Sequence, residues 1–462
     1  MKTREINMTE GAIFPKLVAF SVPLVLSSVL QLFFNAADVI VVGRFAGENS
    51  LAAVGSTSSL INLLTNLFVG LSIGTNVVAA NYFGANHKKN ISHTVHTAIL
   101  LSIYSGVLLS IVGVFGAKFI LRAMQAPEEV LNLAALYLKI YFGGITATMI
   151  YNFGSALLRS KGDTQRPLVI LFLTGIINVI LNLFFVIALK MDVAGVAVAT
   201  VISQCIAAVL ILRILATESD DFHLSLKKLS LNRDIFIRIL KIGVPAGFQG
   251  MMFSFSNVII QSTVNTFGSI VIAGNSAGIN IEGFVYTSMN GFSQGTLTFC
   301  SQNLGSGNKA RIKSAVFISQ CIVLVVGLVL GGAVVLFSHS LLSIFSSNEE
   351  VIQAGMLRLK FVCSTYALCG MMDCMGNAVR GIGHSLLPMI TTLVGACGLR
   401  VLWILALFQI PAYHSLNTIF FSYPLSWFVT WIAHTIAFVV LFTRGFASIL
   451  HAKPTQPVLS PK

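Results

Sequence analysis

Arg159-Ser-Lys-Gly162-Asp-Thr-Gln-Arg-Pro167 and Arg380-Gly-Ile-Gly383-His-Ser-Leu-Leu-Pro388 carry Arg, Gly and Pro at one shared offset of 221 residues. The same offset links Gly84-Ala-Asn-His-Lys88 to Gly305-Ser-Gly-Asn-Lys309. Val22-Pro23 and Val244-Pro245 lie 222 apart, with Asn35 and Asn257 following each. Three separate agreements within one residue define an internal repeat of about half the chain. In the first pair, Gly permits unusual backbone angles and Pro opens a helix at its first turn, so each copy reads as a turn between two helices.

The repeat unit is a set of membrane spans. Of the 462 residues, 55% are hydrophobic and only 10% are charged, against roughly 25% charged in a soluble domain. Apolar runs of about 20 residues or more, which must satisfy their backbone groups internally in lipid, read as helices. They fall at 15–41, 51–82, 92–121, 130–157, 167–189, 193–216, 236–266, 270–302, 313–343, 351–378, 386–408 and 416–443. The reading is an all-α membrane protein of about twelve transmembrane helices. An even number of helices per repeat gives both copies one orientation, so two parallel six-helix lobes enclose a central cavity. The expected organisation is an N-lobe over 1–216, a polar linker over 217–235, a C-lobe over 236–443 and a tail over 444–462.

Basic residues orient the chain. With both termini inside, 21 of the 29 Lys and Arg residues fall in cytoplasmic segments, as the positive-inside rule expects. That asymmetry accounts for the net charge of +13 without nucleic acid. No secretory signal precedes the first span, which is expected to act as the targeting signal for the cell membrane. The seven Cys all fall within spans and form no CxxC pair, so no metal or disulfide framework is expected.

Three of the sixteen acids lie inside spans: Asp38, Glu282 and Asp373. A charge at the bilayer centre costs at least about 2.5–3.5 kcal/mol, and such residues usually face a cavity and handle ions or protons. Glu282 lies about twelve residues into helix 8, roughly 18 Å deep, within the small, polar run Ala277-Gly278-Ile-Asn280-Ile-Glu282-Gly283. Asp373 precedes Arg380 by seven residues, and Asp38 precedes Arg44 by six. Across the repeat Asp373 maps to Asn152, Asp38 to Ile260 and Glu282 near Asn62. None has an acidic twin, so the shared fold does not require them, and each is a candidate functional group. Asp38 and Asn35 share one helix face, as do Asn178 and Asn182. If those faces meet, a carboxylate and amide carbonyls surround a cation.

The stretch Asn35-Ala-Ala-Asp38-Val-Ile-Val-Val-Gly43-Arg44-Phe-Ala-Gly47 resembles the first-helix signature of the multidrug and toxic compound extrusion (MATE) family. Gln302-Asn303-Leu-Gly305-Ser-Gly307-Asn and the paired Leu158-Arg159-Ser-Lys-Gly162 and Val379-Arg380-Gly-Ile-Gly383 are similar to further motifs of that family. The resemblance covers roughly 14–443. It implies a monomeric antiporter exporting small organic, often cationic, compounds against protons or sodium ions, with no cofactor. Asp38, Glu282 and Asp373 match family acids and are the expected ion-coupling residues. Asn35, Asn178, Asn182, Gln31 and Asn280 are the expected binding residues for substrate or ion. Asn182 stands where some branches have Asp, and an Asn cannot titrate, so a proton relay through both helices 1 and 5 is not expected.

A flippase for lipid-linked oligosaccharide shares the wider superfamily and would also show repeated helices. It should offer several cationic groups to a pyrophosphate. Only Arg400 lies well inside a span, opposed by three acids, which argues for cations over anions. No HExxH, GxSxG or P-loop pattern points to an enzyme, and His434 reads as a hydrogen-bonded packing residue.

Overall fold

A computed structural model describes residues 5–123 and 128–451. Among these residues every regular element is helical. Twelve rods follow in order: α1 (Ile13–Phe45), α2 (Glu48–Gly84), α3 (Lys88–Ala123), α4 (Glu128–Gly143 and Ile145–Ser160), α5 (Gln165–Leu183, extended by a π turn, Phe184–Ala188), α6 (Asp192–Thr217), α7 (Arg233–Asn265), α8 (Ser269–Gly305), α9 (Lys309–Leu336), α10 (Glu349–Gly381), α11 (Leu386–Thr392 and Leu399–Leu405, joined by a π turn, Leu393–Gly398) and α12 (Leu416–His451). α4 bends by 47° where its two segments meet at Gly143-Gly144. α12 runs past the expected end of the last span to His451, and the remaining tail, 452–462, lies outside the described residues, as do Lys2 and Arg4.

Nine of these rods are long and apolar enough to cross a bilayer, and the bent pair makes a tenth. The chain is a multi-pass membrane protein. Its outside carries large apolar groups such as Phe115, Phe119 and Leu336, each more than three-quarters exposed. The two rods outside that set are α8 and α10. They hold Glu282 and Asp373, and pack against each other inside the C-lobe. A helix surrounded by other helices does not need an apolar surface for lipid.

The repeated motifs have structural explanations. Gly162 and Gly383 adopt φ of 98° and 91°, where a side chain would be strained. In both turns the third residue beyond the helix bonds back across its end: Asp163 N to Leu158 O at 3.0 Å, His384 N to Val379 O at 3.2 Å. Pro167 and Pro388 then occupy the first turns of α5 and α11. The other pair joins the lobes. Gly84 of α2 lies against the Gln302 carbonyl of α8, and Gly305 of α8 against the Asn81 carbonyl of α2. A Cβ at either glycine would collide with backbone. Thr298 Oγ1 donates to Asn76 Oδ1 at 3.0 Å across the same seam, and α2 packs along α7 through Gly70, Gly74, Gly243 and Gly247. The lobes therefore meet at the end that bears the basic turns.

The N-terminal segment crosses this seam. Ile6 N bonds Gly162 O at 3.3 Å, and Met8 N bonds Gln302 Oε1 at 3.1 Å. Arg311 donates to the carbonyls of Met8, Glu10 and Gly11 at 2.6–2.8 Å. Beside it, buried Lys161 is bound by Glu5 at 2.9 Å, Glu218 at 2.6 Å and Asp220 at 3.1 Å. These three carboxylates converge as metal ligands would, but the Lys161 ammonium holds the place of the cation.

Candidate functional site

Each lobe contains a cavity, and the two correspond through the repeat. In the N-lobe, α1, α4, α5 and α6 surround a cavity of about 270 Å³. Its walls include Gln31, Asn35, Asp38, Asn152, Asn178 and Gln204, and Asp38 is the sole charged group among them. Asn182 Nδ2 donates to Asp38 Oδ1 and lies 3.3 Å from Asn178 Oδ1. Asn178 Nδ2 reaches Thr200 Oγ1 at 3.4 Å. The faces of α1 and α5 thus meet at Asp38. Asn182 is wholly buried, and its Oδ1 has no hydrogen-bond partner. Tyr141, Thr174 and Gln204 also line this cavity; ordinary polar residues in apolar spans carry no sequence signal of their own.

In the C-lobe, α7, α8, α10, α11 and α12 surround a cavity of about 310 Å³. Phe253 and Asn257 stand where Gln31 and Asn35 stand in the N-lobe, and Cys369 where Thr148 stands. Here the charge is reversed. Glu282 is held by both oxygens: Arg358 Nε at 3.1 Å and Arg358 Nη2 at 2.6 Å. Arg358 Nη1 donates to Asn275 Oδ1 at 2.8 Å, and Asn275 Nδ2 to Gln261 Oε1 at 2.7 Å. Glu282 of α8 is thus ion-paired with Arg358 of α10, and its charge is balanced within the C-lobe. Arg400, also buried, faces the same cavity, so two arginines face one carboxylate there.

Asp373 lies elsewhere, in a third cavity of about 380 Å³ between the lobes, with Asn66, Gln249, Asn290 and Arg380. Tyr286 separates it from the C-lobe cavity and lines both. Arg380, placed by sequence in a cytoplasmic turn, instead turns inward and is buried, bonding Asn377 Oδ1 at 2.7 Å and Gln249 Oε1. Asn280 is not brought to any of the three cavities. It is exposed and bonds the Ser276 carbonyl of its own helix at 3.0 Å. His434 packs as expected, within 3.1 Å of the Met372 carbonyl and 3.3 Å of Thr392 Oγ1.

Two helical lobes, each with a cavity that holds one or more charged side chains and is lined at repeat-related positions, have the form of a membrane carrier. The MatE family model matches residues 23–184 and again 245–405, one match per lobe, and the chain belongs to that family of multidrug efflux transporters. A probable multidrug resistance protein of Bacillus subtilis, YoeA, is 26% identical over 85% of this chain and 86% of its own length. The Thermotoga maritima protein NorM, also a probable multidrug resistance protein, is 26% identical over 82% of both chains. A solved outward-facing conformation of a multidrug resistance MATE family transporter of the MOP superfamily superposes with a TM-score of 0.88, at 22% identity, over 97% of this chain and all of that one. Members of the family are transporters, not enzymes.

Proposed function

We propose that this transporter is a secondary antiporter that exports small organic cations in exchange for protons or sodium ions, with Asp38 as the coupling group. The observation that carries this reading is the lone carboxylate of the N-lobe cavity, set among Asn178, Asn182 and Thr200. One buried negative charge balances one cation at a time. Proton or sodium ion on one side and organic cation on the other therefore compete, and competition is what couples their opposite movements. Rotating the Asn182 amide end for end would turn its unpartnered oxygen toward Asp38, giving a hard-oxygen set for sodium; a proton needs only the carboxylate. Asn35 and Gln31 extend the polar wall for the substrate. Asp373, in the cavity between the lobes, is a second acid for the organic cation, while Glu282 serves as the counter-charge of Arg358. The carrier works as a monomer in the cell membrane, both termini cytoplasmic, by alternating access of its lobes. Transport of a fluorescent organic cation into proteoliposomes under an imposed proton or sodium gradient tests the reading. Asp38→Asn should abolish gradient-driven transport. If that variant keeps wild-type rates with the same ion dependence, Asp38 is not the coupling group.

A further inference from the structure

We infer that the C-lobe cavity is a binding site for a planar aromatic molecule bearing an oxyanion, a carboxylate or its equivalent, with Arg400 as the anion-binding residue. The inference goes beyond the antiport reading and does not depend on it. Arg400 has no exposed surface. Its Nε donates to Ser426 Oγ at 2.8 Å, yet Nη1 and Nη2 have no hydrogen-bond partner. No carboxylate lies within ion-pairing distance of it among the described residues; the one acid in the cavity has both oxygens taken by Arg358. Leaving charged donors unsatisfied in a buried site is among the most costly arrangements a protein can hold, so a scaffolding role leaves these two groups unexplained.

The geometry also says which ligand chemistry fits. The guanidinium lies 4.4 Å from the Tyr423 ring centroid and 5.4 Å from those of Phe253 and Trp427. Rings hold the cation in place without consuming its N–H groups. What remains is a pair of terminal nitrogens on a rigid fork, the shape that matches two oxygens of one oxyanion. Next to it runs a row of rings, with Trp427 5.4 Å from Tyr366 and 5.6 Å from Tyr423. These can take the flat apolar part of the same molecule. The repeat supports a function over a scaffold: Arg400 corresponds to Val179, and the matching N-lobe cavity holds Asp38 as its only charge. The two cavities sort by opposite charge.

Calorimetric titration of the purified full-length protein, without any ion gradient, tests this with three probes of one shape: 2-naphthoate, naphthalene-2-methanol and 2-naphthylmethylammonium. The acid should bind saturably and at least about tenfold more tightly than the neutral alcohol. Arg400→Gln should weaken the acid by about tenfold or more and leave the alcohol unchanged. Arg400→Lys, which keeps the charge and loses the fork, should fall between. Wild-type protein that binds acid and alcohol alike, or prefers the ammonium, overturns the proposal. So does a folded Arg400→Gln that binds the acid as the wild type does. If neither variant folds, the wild-type comparison decides alone. Failure here leaves the Asp38 reading intact, because no transport is measured.

Discussion

At the scale of residues, the acids that look alike in sequence have different situations. Asp38 is held by a neutral amide, so Asp38→Asn replaces a carboxylate by a group of the same shape and keeps an acceptor for Asn182. That variant should fold as the wild type does while losing gradient-driven transport, which separates coupling from structure. Glu282 is held by a guanidinium instead. Glu282→Gln leaves Arg358 buried without a counter-charge, and such a loss costs about 3–5 kcal/mol. The melting temperature should fall sharply. The double variant Glu282→Gln/Arg358→Met removes both charges and should recover much of the loss. A single variant as stable as the wild type would show that the pair contributes little.

At the scale of elements, the contacts between lobes sit at helix ends and in short connecting segments. Gly84 and Gly305 each face the other lobe's backbone, so Gly305→Val forces α2 and α8 apart. Overpacking of this kind costs about 1–3 kcal/mol. Because Gly84→Val strains the same seam, the double variant should lose less stability than the two single losses added together; strict additivity would mean the glycines act separately. The turn between α4 and α5 is anchored by Lys161. Burial pulls its ammonium down, but the hydrogen bonds it donates to Glu218 and Glu5 and the charge of Asp220 outweigh this and hold it above the ordinary lysine range. A raised lysine contributes stability that is complete below its unfolded value and fades as pH climbs through the folded one. Lys161→Met should therefore melt lower than the wild type at neutral pH, and the two curves should converge only in strongly alkaline buffer. Equal melting at neutral pH would remove the cluster from the account.

At the scale of the whole molecule, the end where the lobes meet carries the basic turns 84–91, 159–166 and 305–312, with the linker 217–235 beside them. We expect this end to face the cytoplasm. Single cysteines at Asn86, Ser306 or His223, in a background without native cysteines, should resist an impermeant thiol reagent added to intact cells and react after permeabilisation. Rapid labelling from outside would invert the topology. The lobes are joined at this end by α2, α7, α8 and the N-terminal segment, so opening it requires Met8, Gln302 and Arg311 to part. Arg311→Ala removes three hydrogen bonds to that segment. It should raise thiol reactivity at a cysteine replacing Thr298; unchanged reactivity would show that the segment does not hold the seam.

By itself the sequence determined what is local, periodic or repeated. Apolar runs specify helices because lipid leaves the backbone no other partners. The offset of 221 specifies two lobes of one orientation, and the motifs that reveal it became turns and a close glycine seam. It also pointed to Asp38 with Asn178 and Asn182, because i, i+3 and i, i+4 spacings place polar groups on one face of a helix. Only the tertiary structure decided which charges cancel. Glu282 and Arg358 are 76 residues apart, and nothing in either local stretch indicates the other. Asn280 looked like a cavity residue from its small, polar neighbours, but the rotation of α8 turns it away. Arg380 looked like a surface charge, but the end of α10 directs it inward. Arg400 reads as a lone cation among acids along the chain. In the fold the one acid lining its cavity is already paired with Arg358, and the rings of α7 and α12 surround it. Electrostatic character belongs to the groups that share a cavity, and helix packing chooses those groups from distant parts of the chain.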